Sequence, residues 1–437
     1  TYIHDQHLYI GCAGLTVDGE PIAHPKFKSC TIVSPDGTTT KRSMPADGRR
    51  TSTRSLHDVR AAPAHPYING ASPRFASLSG PSSLVECGAP VGYGWYRIAL
   101  KKSSDRKRTV LLPSAGDRAH LYVNGSLEQM IGVGPGASND PFDLKLAGDD
   151  VTMTLLVDNL GRFDGGNDLH DAKGLRDHLV EAKSFRGGKF AEVRETPVNP
   201  FEFRGYMSGL PDGAVSDVRQ FTWTFTHLRK SPLYMLIDAL PYSGMLMLND
   251  APLTYYAGVN GAQSAQLRLD PADERFKRGR NVLRFAPDAR QEPVASKISK
   301  SVRFVEATEL ITDGAEWSFA KWETPPDADF EPLTDSQRAF KCPTWYAATF
   351  TTPTGDMPVW IDTTGLSKGC ILVNDHHIGR FFTATATGNS VGPQIRLWIP
   401  RGWLLEDEDN RLLIFDEHGA LPGKVRIVQR ETGDLDG

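Results

Sequence analysis

The sequence predicts an all-β protein built from tandem antiparallel β-sandwich or jelly-roll modules, and three observations carry that expectation. Short alternating apolar strands recur at roughly 8–12-residue intervals, broken by Gly, Pro and Asp clusters, which is the pattern of sandwiches and jelly rolls. Long amphipathic helices are nearly absent. The best short candidate, "LRDHLVEAKSF" from Leu175, is too little to thread a barrel of alternating strands and helices through the chain. Finally, one strand plan repeats on an ungapped ruler. "WYRIAL" from Trp95 leads 29 positions on to Asn124, "WYAATF" from Trp345 leads 29 on to Asn374, and the weaker "QFTWTF" from Gln220 leads 29 on to Asn249. Each copy runs through a second strand into an Asn-Gly or Asn-Asp turn, so one supersecondary plan is used three times.

Taken in order, residues 1–66 differ from the rest. "LYIGCAGL" and "KSCTIVS" are short strand candidates, and the aperiodic Arg-, Ser- and Pro-rich run that follows reads as an extended connector docked on a partner surface. Residues 67–196 form the first expected module, with strands "WYRIAL", "TVLLP", "AHLYVNG", "FDLKLAG" and "VTMTLLVDNLG". Residues 197–303 form the second, with "FTWTF", "LYMLIDAL", "GMLMLND", "AQLRLD" and "NVLRFAP". Residues 304–437 form the third, with "TWYAATF", "VWIDTTGL", "GCILVND", "QIRLWIP" and "RLLIFDE". Three modules suit 437 residues at roughly 100–200 residues per domain.

The bulk numbers exclude several functions. A formal charge of -4 leaves no basic footprint for nucleic acid. The densest basic run, Lys101 to Arg108, sits between two strands and reads as a solvated hairpin tip. No stretch reaches the ~18 apolar residues of a membrane-spanning helix. Thr1 in place of an initiator Met is taken to mean a removed leader or a start partway along a longer polypeptide. Five scattered cysteines (Cys12, Cys30, Cys87, Cys342, Cys370) form neither a CxxC pair nor a disulfide ladder. Cys370 reads as a core residue, and pairing of Cys12 with Cys30 stays open. The compartment is not fixed by these features, a periplasmic or secreted location being slightly favoured over the cytoplasm.

Several segments resemble a known family. "GYGWYRI", "AHLYVNGSLEQMIG" and "LVDNLGRFDGGNDLHDAKGL" are similar to the first β-sandwich after the barrel of family 35 glycoside hydrolases, the β-galactosidases. "PTWYAATF", "VWIDTTGLSKGCILVNDHHIGRFF" and "GPQIRLWIPRGWLLEDEDNRLLIFDE" are similar to the terminal galactose-binding-like jelly roll of those enzymes. The resemblance implies that Asp158, Asn159, Arg162, Asp171 and Lys173 form a structural motif, anchoring a loop against a neighbouring domain. It also implies a partner. In that family an N-terminal (β/α)8 barrel carries both catalytic glutamates, and no such barrel is visible in these residues.

Chemistry inside the chain is hard to find. Retaining glycoside hydrolysis needs two carboxyls about 5–5.5 Å apart on rigid walls, and no Asn-Glu context of the family's kind occurs. No catalytic residue is assigned, and whether the chain is itself an enzyme stays open. "LEDEDN" at Leu405–Asn410 reads as a solvated turn, with a structural calcium site as its lesser alternative. His376 and His377 are strand neighbours that point to opposite faces and make a poor shared metal site. Asp168, His170 and Asp171 are read as part of the structural loop rather than a metal nest, and no other cofactor is expected. "GVGPGA" from Gly132 lacks the P-loop lysine.

Sugar binding remains as a chemical option. Apolar sugar faces stack on exposed aromatic rings while polar side chains hold the hydroxyls. The candidates are Tyr93, Tyr242, Tyr255, Tyr256 and Trp403, placed in loops; Trp95, Trp223 and Trp345 are expected to fill sandwich cores. The expected function is a non-catalytic accessory portion or subunit of a β-galactosidase-like hydrolase, bracing a catalytic barrel and contacting a galactoside or other glycan. The alternative is a stand-alone carbohydrate-binding or self-assembling structural protein, including a homo-oligomer.

Overall fold

The structure, a computed structural model, describes all residues except 17, 23, 25–26, 45–49, 102–105, 162–172, 186–187, 196–217, 257, 259–263, 288–291, 335, 356, 393–394 and 432–437. It is all-β, and the chain divides into two compact units, residues 64–324 and residues 1–63 with 325–437.

The unit of residues 64–324 is a pair of sandwiches that share a sheet. One six-stranded sheet runs Ser126–Gly132, Arg118–Val123, Asp150–Asp158, Tyr93–Lys101, Glu316–Lys321 and Ala76–Leu78. A second runs Phe142–Lys145, Lys107–Leu111, Val180–Ser184, Val302–Leu310, Leu233–Asp238 and Ser264–Leu269. Its first three strands close the first sandwich, over Tyr96, Ile98, Leu121, Leu144, Leu155 and Val157. Its last three close the second, against the sheet of Lys189–Glu195, Val218–His227, Gly279–Pro287, Gly244–Leu248 and Ala251–Tyr256. That second core holds Phe221, Trp223, Phe225, Met235, Leu283 and Phe304.

The other unit is a jelly roll with a small sheet attached. Glu331–Pro332, His57–Pro63, Thr344–Thr351, Asp409–Asp416, Lys368–Val373 and His376–Phe382 form one face, and Arg396–Ile399, Val359–Asp362, Arg426–Glu431 and Arg50–Arg54 the other. Tyr346, Phe350, Ile361, Ile371, Leu397 and Ile414 pack between them. Tyr2–His4, His7–Ile10, Ser29–Val33 and Thr39–Ser43 form a separate four-stranded sheet, and Cys30 on it is buried in a cluster with Cys12 and Met44.

The module boundaries therefore differ from those read in the sequence. The expected connector 1–66 is largely strand, and His57–Pro63 pairs with Thr344–Thr351 in register Thr344 to Pro63. Strand Val302–Leu310, which straddles the expected boundary at 303/304, and strand Glu316–Lys321, inside the expected third module, pair with the first two modules. The helix candidate is a strand at Val180–Ser184, because its neighbours on both sides supply ladder hydrogen bonds that outweigh local propensity. Around the basic hairpin, Arg106 pairs with Glu181 at 2.5 Å, Lys107 with Asp143 at 3.0 Å and Arg108 with Glu309 at 2.6 Å.

Candidate functional site

The repeated asparagine has one physical job in all three copies. Asn124, Asn249 and Asn374 sit at positive φ (47°, 50° and 48°) in two-residue hairpin turns, a conformation that Asn tolerates better than other side chains. Each backbone N–H donates to a carbonyl on the neighbouring strand, Thr152, Val282 or Arg411. Each side-chain Oδ1 then accepts the N–H of that same residue at 2.9 Å. The amide thus imitates one more rung of the ladder where the hairpin has already turned away.

In the second and third copies a further buried asparagine completes the lock. Asn249 Nδ2 donates to Asn281 Oδ1 at 2.9 Å and to the Arg275 carbonyl at 2.7 Å. Asn374 Nδ2 donates to Asn410 Oδ1 at 2.8 Å and to the Trp403 carbonyl at 2.7 Å. Asn410, fully buried, also accepts from Leu405 N and donates to Thr352 Oγ1. The first copy has Val151 in the corresponding place, ahead of Thr152.

The motif around Asp158 is a latch inside the first sandwich. Lys173 Nζ, buried, donates to Asp117 Oδ1 at 2.7 Å, and Asp117 Oδ2 accepts Leu160 N at 2.9 Å. Asn159 Nδ2 donates to the Pro90 carbonyl at 2.8 Å while its Oδ1 accepts Gly161 N. Asp158, also buried, lies opposite both Tyr93 and Arg118 in the sheet. A Cβ at Gly174 would stand 2.6 Å from Leu84 N and from the Tyr96 hydroxyl oxygen, which requires glycine there. Arg162 and Asp171, with Asp168 and His170, lie outside the described residues.

The corresponding block of the jelly roll is equally interior. Lys368 Nζ donates to Glu417 Oε1, both buried. Gly369 packs so closely on the Phe415 carbonyl that a side chain would collide with it. Asp416 accepts from Ser367 N and Oγ at 2.7 Å and from His418 N and Ala420 N at 3.0 Å. Burial nevertheless pushes its carboxyl up to about 6, against the pull of those four donors.

The sugar-contact candidates do not converge. Tyr93 is on a strand, not a loop, and is 2% exposed beside Trp322. Tyr256 is buried with its hydroxyl donating to the Leu240 carbonyl, so neither ring has a face free for a ligand. Tyr242 accepts Val294 N on its hydroxyl and packs on the second core, and Tyr255 packs against Met245 and Met247. Trp403 is 37% exposed, but its ring stacks on His376 at 4.5 Å and 16°. His377 is held below the ordinary imidazole range by partial desolvation first and then by Arg380. Of the three tryptophans expected in cores, Trp223 lies in one; Trp95 stacks on Tyr67 and Trp345 packs tilted against Phe415, each on the strand face opposite its core neighbours Tyr96 and Tyr346.

The sequence reading missed two aromatic residues. Trp360 and Trp398 lie directly opposite each other across adjacent strands, and Trp398 is 56% exposed. The signal was present in "QIRLWIP", where Leu397 and Ile399 alternate inward and so turn Arg396 and Trp398 outward.

The chain carries two β domains of the β-galactosidase kind. Residues 81–186 match the family model of the β-galactosidase first all-beta domain, and residues 343–410 that of the β-galactosidase galactose-binding domain. Beta-galactosidase 12 of Oryza sativa subsp. japonica is 39% identical over 92 residues, 21% of this chain and 10% of that protein. Beta-galactosidase 8 of Arabidopsis thaliana is 31% identical over 111 residues, 20% of this chain and 13% of that protein. The matched stretches thus span only about a tenth of these relatives. Among solved structures, a Bacteroides uniformis β-glucuronidase matches at 11% identity and TM-score 0.23, over 73% of this chain and 33% of that one.

Proposed function

We propose that this chain is the non-catalytic, accessory β-sandwich portion of a β-galactosidase-like glycoside hydrolase, bracing a catalytic (β/α)8 barrel and contacting carbohydrate through exposed aromatic side chains. One observation carries the reading. The residues through which the chain resembles those enzymes (Asn159 and Lys173 in one block, Lys368, Gly369 and Asn374 in the other) hold strands and turns in place. A buried lysine paired with an aspartate, and an amide bonded to neighbouring backbone, are scaffold parts.

The test is aryl β-galactoside hydrolysis by the purified chain, alone and mixed with a barrel polypeptide of the same family. The chain alone is expected to give no turnover and to raise the temperature at which the barrel loses activity. Turnover by the chain alone at about 1–10³ s⁻¹, the ordinary enzyme range, would refute it.

A further inference from the structure

We propose that the outward face of the jelly-roll strands Arg396–Ile399 and Val359–Asp362 is a glycan-binding surface, with Trp398 and Trp360 as the stacking platform and Arg396 as the group that grips hydroxyls. The proposal rests on the carbohydrate-contacting part of the function above and not on the bracing of a barrel.

The face is built in two rows. Leu397, Ile399, Val359 and Ile361 point into the core, so period-2 alternation turns Trp398, Arg396, Trp360 and Asp362 outward. Trp398 stands opposite Trp360, and Arg396 opposite Asp362, in the same antiparallel register. The aromatic row therefore lies about 6.8 Å along the strands from the charged row. Arg396–Ile399 is the terminal strand of its sheet, which leaves one side of the aromatic row open to an approaching chain.

The charged row is held in place before any ligand arrives. Asp362 Oδ2 accepts Arg396 Nε at 3.0 Å, while its Oδ1 accepts Thr364 N at 3.0 Å and Thr364 Oγ1 at 2.5 Å. Arg396 is thereby fixed through Nε, and its terminal nitrogens meet no acceptor among the described residues. A fixed guanidinium with spare planar donors beside a half-exposed indole has the two features a pyranoside needs. Its C–H face gains by covering the ring, and the hydroxyls at its rim must regain the hydrogen bonds they lose to water.

The charged row also favours a glycan over a protein partner. A protein covering Trp398 would have to desolvate the Arg396–Asp362 pair beside it, an expensive step without matched charges. Sugar hydroxyls can hydrogen-bond to that pair in place of water. Trp403 is a weaker platform, since His376 already covers one side of its ring.

The experiment is calorimetric titration of the whole chain with lactose and a β-1,4-linked galacto-oligosaccharide, repeated for Trp398→Ala, Arg396→Gln and Trp403→Ala. Saturable binding is expected, weakened at least about tenfold by Trp398→Ala, an amount equal to about 1.4 kcal/mol, and less by Arg396→Gln. Trp403→Ala should leave it unchanged, and circular dichroism of each variant confirms the fold. Binding that survives Trp398→Ala overturns the sheet-face site while keeping carbohydrate contact. No binding by either sugar, or by xylan and arabinan oligosaccharides, overturns both. Concentration-dependent dimerisation lost in Trp398→Ala would instead make the face an interface between copies, and overturns the proposal.

Discussion

Replacing Asn374 by alanine should cost the jelly roll about 3 kcal/mol, and the parts of that figure can be separated. The side chain makes three hydrogen bonds, to Arg411 N at 2.9 Å, Asn410 Oδ1 at 2.8 Å and the Trp403 carbonyl at 2.7 Å. At about 0.5–1.5 kcal/mol net each, with water recovering part of the loss at a half-buried turn, they sum to about 2 kcal/mol. Alanine must also hold φ at 48°, which adds about 1 kcal/mol that glycine does not incur. Asn374→Gly should therefore cost about 2 kcal/mol and Asn374→Ala about 3. In thermal unfolding followed by circular dichroism, about 3 kcal/mol corresponds to roughly 6–12 °C for a domain of this size. The three copies provide an internal control. Asn249→Ala should match Asn374→Ala, while Asn124→Ala should be milder, because a valine stands where the others have their second asparagine. A glycine variant no more stable than the alanine variant, or equal costs at all three turns, would refute the argument.

Two further outcomes follow from the buried charges. Lys173→Met leaves Asp117 without its cation and should cost about 3 kcal/mol, at the low end of the range for a broken buried pair because Asp117 keeps some solvent contact; adding Asp117→Asn should recover part of it, and a double-mutant cycle in denaturant measures the coupling. Asp416 has a folded-state carboxyl raised to about 6, so it contributes stability that is complete below about 3.9, the unfolded value, and lost as pH rises through 6. At about 1.4 kcal/mol per pKa unit, the unfolding free energy of the native chain relative to Asp416→Asn should fall by about 2 kcal/mol between pH 4 and 6.5. A difference that is flat with pH would show that the four donors around the carboxylate offset its burial.

The arrangement of local elements was legible because it is written in short-range chemistry. Alternation with period 2 marked the strands, and Asn followed by Gly or Asp marked turns that need positive φ. The shared 29-residue ruler pointed to a turn whose asparagine does the same thing three times. The sugar-contact tyrosines were harder to place. Tyr93 and Tyr256 flank Gly-rich stretches that look like loops, and only the sheet register shows their rings facing protein. Trp398 was readable from alternation, but a tryptophan in an apolar strand resembles core until its inward neighbours are known.

By itself the sequence determined that this protein is all-β, repeats one hairpin plan, and carries blocks of the β-galactosidase kind. Only the tertiary structure decided which strands share a sheet. Pairing of residues 57–63 with 344–351, and of 316–321 with 93–101, joins segments hundreds of positions apart. Periodicity tells a strand which face to bury, but a backbone edge will accept any partner in register; the choice is made by the cores that close around it.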